Sequence, residues 1–197
     1  MTKVLDTQTD GRLRVLRLNR PERKNALNDE LLQAIIVALR DAAHDDDVRA
    51  VAITGNGDAF CSGLDLGQAS ASGVVNEDTN RQARPEADDA AEHLSMLMRV
   101  ECEKPVLAGV NGVAVGIGLS LAMNADIRIA APSARFHPGY ARVGTSPDGG
   151  LTWTLTHAVG YERTMRFLLE QRMVSAGEAL ALVSHGVSEG PGQAAVG

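Results

Sequence analysis

Residues 111–126 read NGVAVGIGLSLAMNAD, and the prediction of the fold starts from this stretch. The apolar run that precedes it, residues 105–110, is typical of a buried strand. After a turn, Gly116 and Gly118 lead into an apolar run at residues 119–123 that predicts a packed helix. A helix entered through glycines exposes backbone N–H groups that attract negative charge. The anion could be a phosphate, a carboxylate or an oxyanion that forms during a reaction.

Strands and helices alternate on both sides of this stretch. Apolar spacing predicts further strands at residues 13–19, 50–54 and 127–130, and helices at 29–44, 90–102, 161–169 and 175–183. Asn28 is a candidate N-cap, and Ser175 with Glu178 has the spacing of a capping box. Composition predicts surface loops at residues 67–89 and 136–150. The order of elements favours a layered α/β fold with parallel strand pairing.

Composition narrows the class of protein. The 197 residues are 44% hydrophobic, which is enough for one domain with a sizeable core. An excess of 25 acidic over 19 basic residues argues against a nucleic-acid surface, and no apolar run is long enough to span a bilayer. We therefore expect a cytoplasmic protein without membrane or nucleic-acid partners. Cys61 and Cys102 match no metal or redox spacing and are interpreted as reduced core residues.

Several catalytic motifs are weak or missing. Leu121 occupies the third glycine position of a dinucleotide fingerprint, and Ser120 does not lie in a nucleophile elbow. A triad of Ser120, His137 and Asp148 is conceivable from composition alone. No metal-binding motif is present, so no metal is predicted.

Two glycine-containing turns remain, at residues 59–66 and 112–118, and each follows a predicted parallel strand. Ligands of open α/β sheets collect at the carboxyl ends of such strands. If the turns face each other, two backbone N–H groups could converge on one carbonyl oxygen and form an oxyanion hole. Alternatively, the glycines only permit close packing. The residues alone leave both interpretations open.

Four segments in the same order resemble the crotonase superfamily, the enoyl-CoA hydratase/isomerase family. They are LNRPERKNALN at 18–28, AVAITGNGDAFCSGLDL at 50–66, KPVLAGVNGVAVGIGLSLAMNADIRIA at 104–130 and GTSPDGG at 144–150. The resemblance implies a crotonase-like (ClpP/crotonase) ββα superhelix that binds acyl-CoA thioesters and assembles as a trimer or hexamer. It implies no cofactor beyond the coenzyme A of the substrate.

The resemblance also assigns candidate site residues. The N–H groups of Leu64 and Ile117 would form the oxyanion hole, although a β-branched side chain replaces the family's glycine at 117. Arg23 and Lys24 would approach the phosphates and adenine of coenzyme A. The remaining predicted substrate-binding residues are Ala26, Ser62, Gly63, Asp65, Leu66, Gly116 and Tyr140.

The sequence departs from the hydratase pattern at two positions. Ser120 and Tyr140 stand where hydratases carry the two glutamates that activate water, and neither can act as a carboxylate base. Asp148 matches the catalytic aspartate of several isomerases and of the aryl-CoA dehalogenases. We therefore expect isomerisation of an unsaturated acyl-CoA with Asp148 as the base. The alternatives are a catalytically weak or silent acyl-CoA-binding paralogue and, ranked last because aromatic residues are few, attack of Asp148 on an aromatic acyl group.

The predicted domain covers residues 1–183, and residues 184–197 are predicted to form a flexible tail. Relative to the family, the C-terminal helical region is expected to be truncated. An acyl pocket left open in this way would weaken electrostatic contacts with the substrate. An apolar surface without its cover would favour aggregation or an unusual assembly.

Overall fold

The computed structural model describes residues 3–67, 94–95, 98 and 101–184. Its strands are β1 Leu5–Asp10, β2 Leu13–Leu18, β3 Ala50–Gly55, β4 Ala59–Cys61, β5 Val106–Val110, β6 Val113–Val115, β7 Ile127–Ala130, β8 Arg135–His137 and β9 Val174–Ser175. Its helices are α1 Asp29–His44, α2 Ile117–Asn124, α3 Leu151–Val159, α4 Tyr161–Glu170 and α5 Ala176–Ser184. Single 3₁₀ turns occur at Pro21–Arg23 and Tyr140–Val143.

The strands form two sheets. The long sheet has the order β1-β2-β3-β5-β7, and the short sheet has the order β4-β6-β8-β9. Pairing is parallel from β2 through β7 and from β4 through β8, as predicted, with an antiparallel strand at one edge of each sheet. Each of β3, β5 and β7 leads within a few residues into a strand of the short sheet. This repeated step between sheets is the ββ part of the predicted superhelix.

The structure corrects the sequence prediction in the short sheet. Residues 59–66 and 112–118 were predicted to be turns, and residues 136–150 a loop. Three-residue strands instead begin each of these stretches, because Ala59–Cys61, Val113–Val115 and Arg135–His137 pair side by side. Strand β1 was not predicted, and helix α2 begins at Ile117 rather than at 119.

Helix α2 lies between two apolar clusters. Leu121 and Ala122 face the larger cluster, in which α1 packs on the long sheet, while Leu119 and Met123 face a smaller cluster. Every residue from 118 to 124 is buried, which explains why the helix is apolar on all sides. The smaller cluster also contains Tyr140, with Leu151 and Leu155 of α3, Phe167 of α4 and Val174 of β9. The N-terminus of α2 is therefore fixed from two sides.

Both predicted helix caps are present. Asn28 Oδ1 accepts a hydrogen bond from the Leu31 N–H at 3.0 Å. The Glu178 carboxylate accepts from the Ser175 N–H at 2.8 Å, and the Ser175 hydroxyl accepts from the Glu178 N–H at 3.3 Å. The helices predicted at 29–44, 161–169 and 175–183 are confirmed with small changes in their ends. The predicted loop at 67–89, helix at 90–102 and C-terminal tail lie almost wholly outside the described residues.

The capping box predicts a dependence of stability on acid. The Ser175 N–H and hydroxyl, together with Arg172, hold the pKa of Glu178 at about 2, below its usual value of 4.5. Its contribution to the free energy of unfolding is therefore complete above about pH 4.5 and is lost as the pH falls toward 2. Glu178→Gln should flatten the fall of Tm across this range, as measured by thermal unfolding at a series of pH values.

Glu162→Gln is the matched control, because the Glu162 side chain is 88% exposed and its partner Arg166 is 3.9 Å away. This variant should keep the acid dependence of the wild type. An equal acid dependence in wild type and Glu178→Gln would show that the capping box does not contribute in this way.

Candidate active site

The first glycine turn, which contains Gly63, directs the Leu64 N–H away from the neighbouring segment at Leu27. Leu27 donates to the Gly63 carbonyl at 2.8 Å and accepts from the Asp65 N–H at 2.8 Å. In this parallel bridge the Leu64 peptide group points to the opposite side. Among the described residues the Leu64 N–H donates to no acceptor. It is therefore available to a ligand.

The second glycine turn ends at the N-terminus of α2. The Gly116 N–H donates to the His137 carbonyl at 3.2 Å, and Ile117 is the first residue of the helix. No acceptor within the described part of the chain takes the Ile117 N–H. A first-turn N–H has no partner inside its own helix, so it too can serve a ligand.

The two turns pack directly on each other. They follow the paired strands β4 and β6, in which Cys61 lies opposite Ala114. A Cβ at Gly63, whose φ is +100°, would approach the Val115 carbonyl oxygen to 2.9 Å. A Cβ at Gly118 would lie 2.8 Å from both Cβ and Sγ of Cys61 and closer still to its carbonyl oxygen. The glycines therefore do permit close packing, and this packing brings the two unpaired N–H groups onto adjacent turns. Their joint use as an oxyanion hole stays a prediction.

Gly118→Ala tests this packing. An alanine inside a helix normally stabilises it by about 1 kcal/mol relative to glycine. Here the added methyl group would meet the Cys61 backbone, so we expect a loss of about 1–3 kcal/mol in the free energy of unfolding. Urea unfolding measures this change.

Gly177→Ala is the matched helical control, because a Cβ at Gly177 meets nothing within 4 Å. This variant should be neutral or stabilising. If Gly118→Ala proved as stable as Gly177→Ala, the two turns would not be packed as described.

Asp148 is linked to the first turn of α2 by two hydroxyl groups. The Tyr140 hydroxyl donates to Asp148 Oδ1 at 2.6 Å, and Ser120 Oγ lies 2.7 Å from the same hydroxyl. Ser120 is 1% exposed and Tyr140 is 5% exposed, whereas Asp148 is half-buried. The structure thus brings together Ser120 and Tyr140, which stand at the positions of the hydratase glutamates, and Asp148, which matches the isomerase aspartate.

The backbone around Asp148 is fixed by α2 as well. Ser120 Oγ lies 3.3 Å from the Asp148 carbonyl oxygen, and the Asn124 amide donates to the Gly149 carbonyl at 2.7 Å. Asn124 also donates to the Ser120 carbonyl at 2.9 Å. Its position four residues after Ser120, on the same helical face, is the sequence signal that could have identified it.

Electrostatics assign protonation states around Asp148. Burial, followed by the charge of the Asp148 carboxylate, raises the pKa of Tyr140 well above its usual value. Tyr140 is therefore neutral and can donate. Burial raises the pKa of the Cys61 thiol to about 12, so Cys61 is an unreactive core residue. Cys102 is also buried and unpaired, as predicted.

The triad of Ser120, His137 and Asp148 is not formed. His137 Nε2 lies 2.8 Å from the Gln171 carbonyl oxygen, and burial lowers the pKa of His137. Ser120 instead contacts Tyr140 and the Asp148 backbone. Composition could not reveal this, because the direction in which each side chain points depends on the packing of β8 against its neighbours.

The basic loop lies beside the first glycine turn. The Ser62 N–H donates to the Lys24 carbonyl at 3.0 Å, and the Ser62 hydroxyl lies 3.3 Å from the Arg23 carbonyl oxygen. Both basic side chains are exposed. Lys24 forms an ion pair with Asp58, which lowers the pKa of Asp58. The predicted contact with coenzyme A remains compatible with these positions.

The other predicted substrate-binding residues divide into two groups. Asp65 forms an ion pair with Arg20 at 2.8 Å, and Arg20 also donates to the carbonyl of buried Ala26. Asp65 and Ala26 therefore hold the turn in place, and sequence spacing gave no sign of Arg20 as their partner. The side chains of Leu64 and Leu66 are 41% and 48% exposed and could line an apolar channel.

The described residues contain neither a metal cluster nor a membrane-spanning helix. Residues 3–67, 94–95, 98 and 101–184 contain no group of three or more His, Cys, Asp or Glu side chains that could hold a metal ion. In the same part of the chain, no helix has both the length and the apolar character needed to cross a membrane.

Comparison with known proteins identifies the family. The sequence pattern of the enoyl-CoA hydratase/isomerase family matches residues 8–189. The chain therefore belongs to this family, and its described strands and helices form the crotonase fold. The enoyl-CoA hydratase of Mycobacterium tuberculosis H37Rv superposes with a TM-score of 0.74 at 37% identity, over 92% of this chain and 73% of the other.

Curated relatives carry different names. A probable enoyl-CoA hydratase of Rhodobacter capsulatus is 41% identical over 168 residues, 85% of this chain and 61% of the relative. The 1,2-epoxyphenylacetyl-CoA isomerase of Escherichia coli is 37% identical over 166 residues, 83% of this chain and 61% of the relative. The chain thus spans about three-fifths of the length of these relatives.

Proposed function

We propose that this protein binds an unsaturated acyl-CoA thioester and moves its double bond by transferring a proton between two carbon atoms. The observation that carries the proposal is the position of Asp148. Its carbonyl oxygen is 3.3 Å from the hydroxyl of Ser120, on the first turn of the helix that begins with the available Ile117 N–H. The Asp148 carboxylate is also linked through the Tyr140 hydroxyl to Ser120, and these two contacts support a base near the end of α2 that offers the Ile117 N–H.

In the first step, Asp148 would remove a proton from the carbon next to the thioester carbonyl. The electron pair of the broken C–H bond moves into the carbonyl group and leaves negative charge on its oxygen. Hydrogen bonds from the Leu64 and Ile117 N–H groups would stabilise this oxygen more strongly in the enolate than in the ground state.

In the second step, protonated Asp148 would return its proton to the γ-carbon. The enolate electrons then restore the carbonyl group, and the double bond lies between the α- and β-carbons. Asp148 is again a carboxylate, so the cycle needs no oxidant and no water. This balance requires only one positioned carboxylate, which Asp148 would supply.

The residues at the two hydratase glutamate positions support proton transfer over hydration. Ser120 and Tyr140 replace the glutamates expected of a hydratase, and their hydroxyl groups lie 2.7 Å from each other. Neither group is basic enough at neutral pH to take a proton from water. The relatives include proteins named hydratase and isomerase, so their names favour neither reaction.

Coenzyme A would be held near the basic loop. Arg23 and Lys24 place two exposed cations beside Ser62, and Lys24 would exchange its ion pair with Asp58 for a phosphate group. Phosphate groups would bind there through charge-assisted hydrogen bonds. The thioester would then extend toward the amides, and the exposed Leu64 and Leu66 side chains would contact the apolar part of the ligand.

The test compares two substrates. The protein should convert a β,γ-unsaturated acyl-CoA to the conjugated thioester, seen as a rise in ultraviolet absorbance. It should not add water to an α,β-unsaturated acyl-CoA, which would be seen as a fall in the same absorbance. Rapid hydration would contradict the proposal. Binding in calorimetry without either reaction, across several acyl chains, would favour the silent acyl-CoA binder.

A further inference from the structure

The hydrogen bonds around Tyr140 have a defined direction. A phenol carries one hydrogen, and Tyr140 donates it to Asp148 Oδ1 at 2.6 Å. Ser120 Oγ lies 2.7 Å from the Tyr140 hydroxyl, closer than to either carbonyl oxygen near it, at 3.3 and 3.5 Å. The Ser120 hydrogen therefore goes to the phenol oxygen. The hydrogen bonds therefore run from Ser120 through Tyr140 to Asp148.

This direction leaves Tyr140 no hydrogen for a substrate. Its single donor is used by Asp148, its oxygen accepts from Ser120, and the residue is 5% exposed. The geometry therefore does not favour a hydrogen bond to the substrate from Tyr140, one of the predicted substrate-binding residues. The two hydroxyl groups act on the carboxylate instead.

The two residues that donate these hydrogen bonds are fixed by the surrounding structure. Ser120 belongs to helix α2, and the Tyr140 ring packs in the smaller apolar cluster with Leu119 and Leu151. A hydrogen bond from a buried, fixed donor restricts the carboxylate to few orientations, which is what a proton transfer between two carbon atoms requires.

We propose that Tyr140 is a positioning residue that orients the Asp148 carboxylate for proton transfer, and that Ser120 acts on Asp148 through Tyr140. This inference rests on the proposed function, because it concerns how the base of that reaction is oriented. Asp148 remains the catalytic residue. Ser120 and Tyr140, which replace the hydratase glutamates, thereby gain a function of their own.

The kinetic test is a double-mutant cycle. Tyr140→Phe keeps the ring in its cluster and removes the donor, so kcat should fall about ten- to hundredfold with little change in KM. Ser120→Ala should lower kcat less. The double variant should be no slower than Tyr140→Phe, because Ser120 acts through the missing hydroxyl. Independent effects that multiply in the double variant would overturn the proposal.

Tyr161→Phe is the matched control, because Tyr161 is 69% exposed and lies at the start of α4. It should keep the kcat and KM of the wild type. A Tyr140→Phe variant as fast as this control would also overturn the proposal.

A spectroscopic test separates this inference from the proposed reaction. The chain contains two tyrosines, so selective carbon-13 labelling of the ζ-carbon gives one resonance for Tyr140 and one for Tyr161. In Asp148→Asn the Tyr140 resonance should move upfield, while that of Tyr161 should stay. This outcome would support the hydrogen-bonded chain even if the wild type showed no turnover, which would refute the proposed reaction alone. An unchanged Tyr140 resonance would overturn the inference whatever the turnover.

Discussion

Replacing Asp148 with asparagine is expected to lower isomerase turnover by about a hundredfold or more, while acyl-CoA binding stays nearly unchanged. An amide has almost the shape of the carboxylate, and its oxygen can still accept the hydrogen bond from Tyr140. Asn124 continues to hold the backbone of the loop through the Gly149 carbonyl. An amide cannot take a proton from carbon, so the loss should fall on kcat. Turnover assays and calorimetry with an acyl-CoA measure the two quantities separately.

Asp10→Asn is the control for the change in charge. Asp10 is an exposed residue at the end of the edge strand β1, and its replacement should leave kcat and affinity unchanged. If Asp148→Asn turned over the substrate as fast as Asp10→Asn, Asp148 would not be the base.

Replacing Ile117 with proline is expected to lower turnover by roughly a hundredfold, equivalent to about 3 kcal/mol of transition-state stabilisation. Proline removes the N–H that we assign to the oxyanion hole. The first helical position accepts proline well, because no intrahelical hydrogen bond is lost there. The preceding residue, Gly116, has no Cβ to clash with the proline ring. The fold should therefore survive, and circular dichroism can confirm it.

Ile117→Ala separates the amide from the side chain. This variant also loses the packing of the isoleucine against the larger apolar cluster, but it keeps the N–H. Its turnover should stay within a few-fold of wild type or rise, since the approach to the amide is wider. Equal losses in Ile117→Pro and Ile117→Ala would mean that the side chain, and not the amide, is what catalysis needs.

Strands β2, β3, β5 and β7 of the long sheet and helix α1 could be predicted because their signals are local, whereas the edge strand β1 was not predicted. Helix α1 has apolar residues at helical spacing and a capping residue, and both features reappear in the structure as a buried face and a cap at Asn28. Strands β3 and β5 are apolar runs between turn residues. Each of these patterns is complete within fewer than twenty residues, so it does not depend on distant partners.

The short sheet could not be predicted in this way. Strands β4, β6 and β8 have three residues each, which is too short for a period to be visible. They exist because they pair with one another across gaps of tens of residues. Their sequence near the glycines favours a turn, and pairing within the sheet overrides that local preference.

The same difference between local signals and contacts of distant residues applies to the candidate site. Glycine turns and an aspartate in SPDGG can be identified by motif, and the family resemblance supplied their roles. The link from Ser120 through Tyr140 to Asp148 joins residues 28 positions apart, and the ion pair of Arg20 with Asp65 spans 45 positions. No spacing rule predicts such contacts, because they depend on how β8 and α2 pack.

The carbonyl carbon of a bound thioester reports most directly on the central claim, that the Leu64 and Ile117 amides hold one thioester oxygen beside Asp148. A saturated acyl-CoA labelled with carbon-13 at this carbon can be bound to the protein and observed by NMR. We expect its resonance to move downfield from that of the free thioester in wild type and in Asp148→Asn, and to return toward the free value in Ile117→Pro. A bound resonance equal to that of the free thioester in wild-type protein would contradict the account.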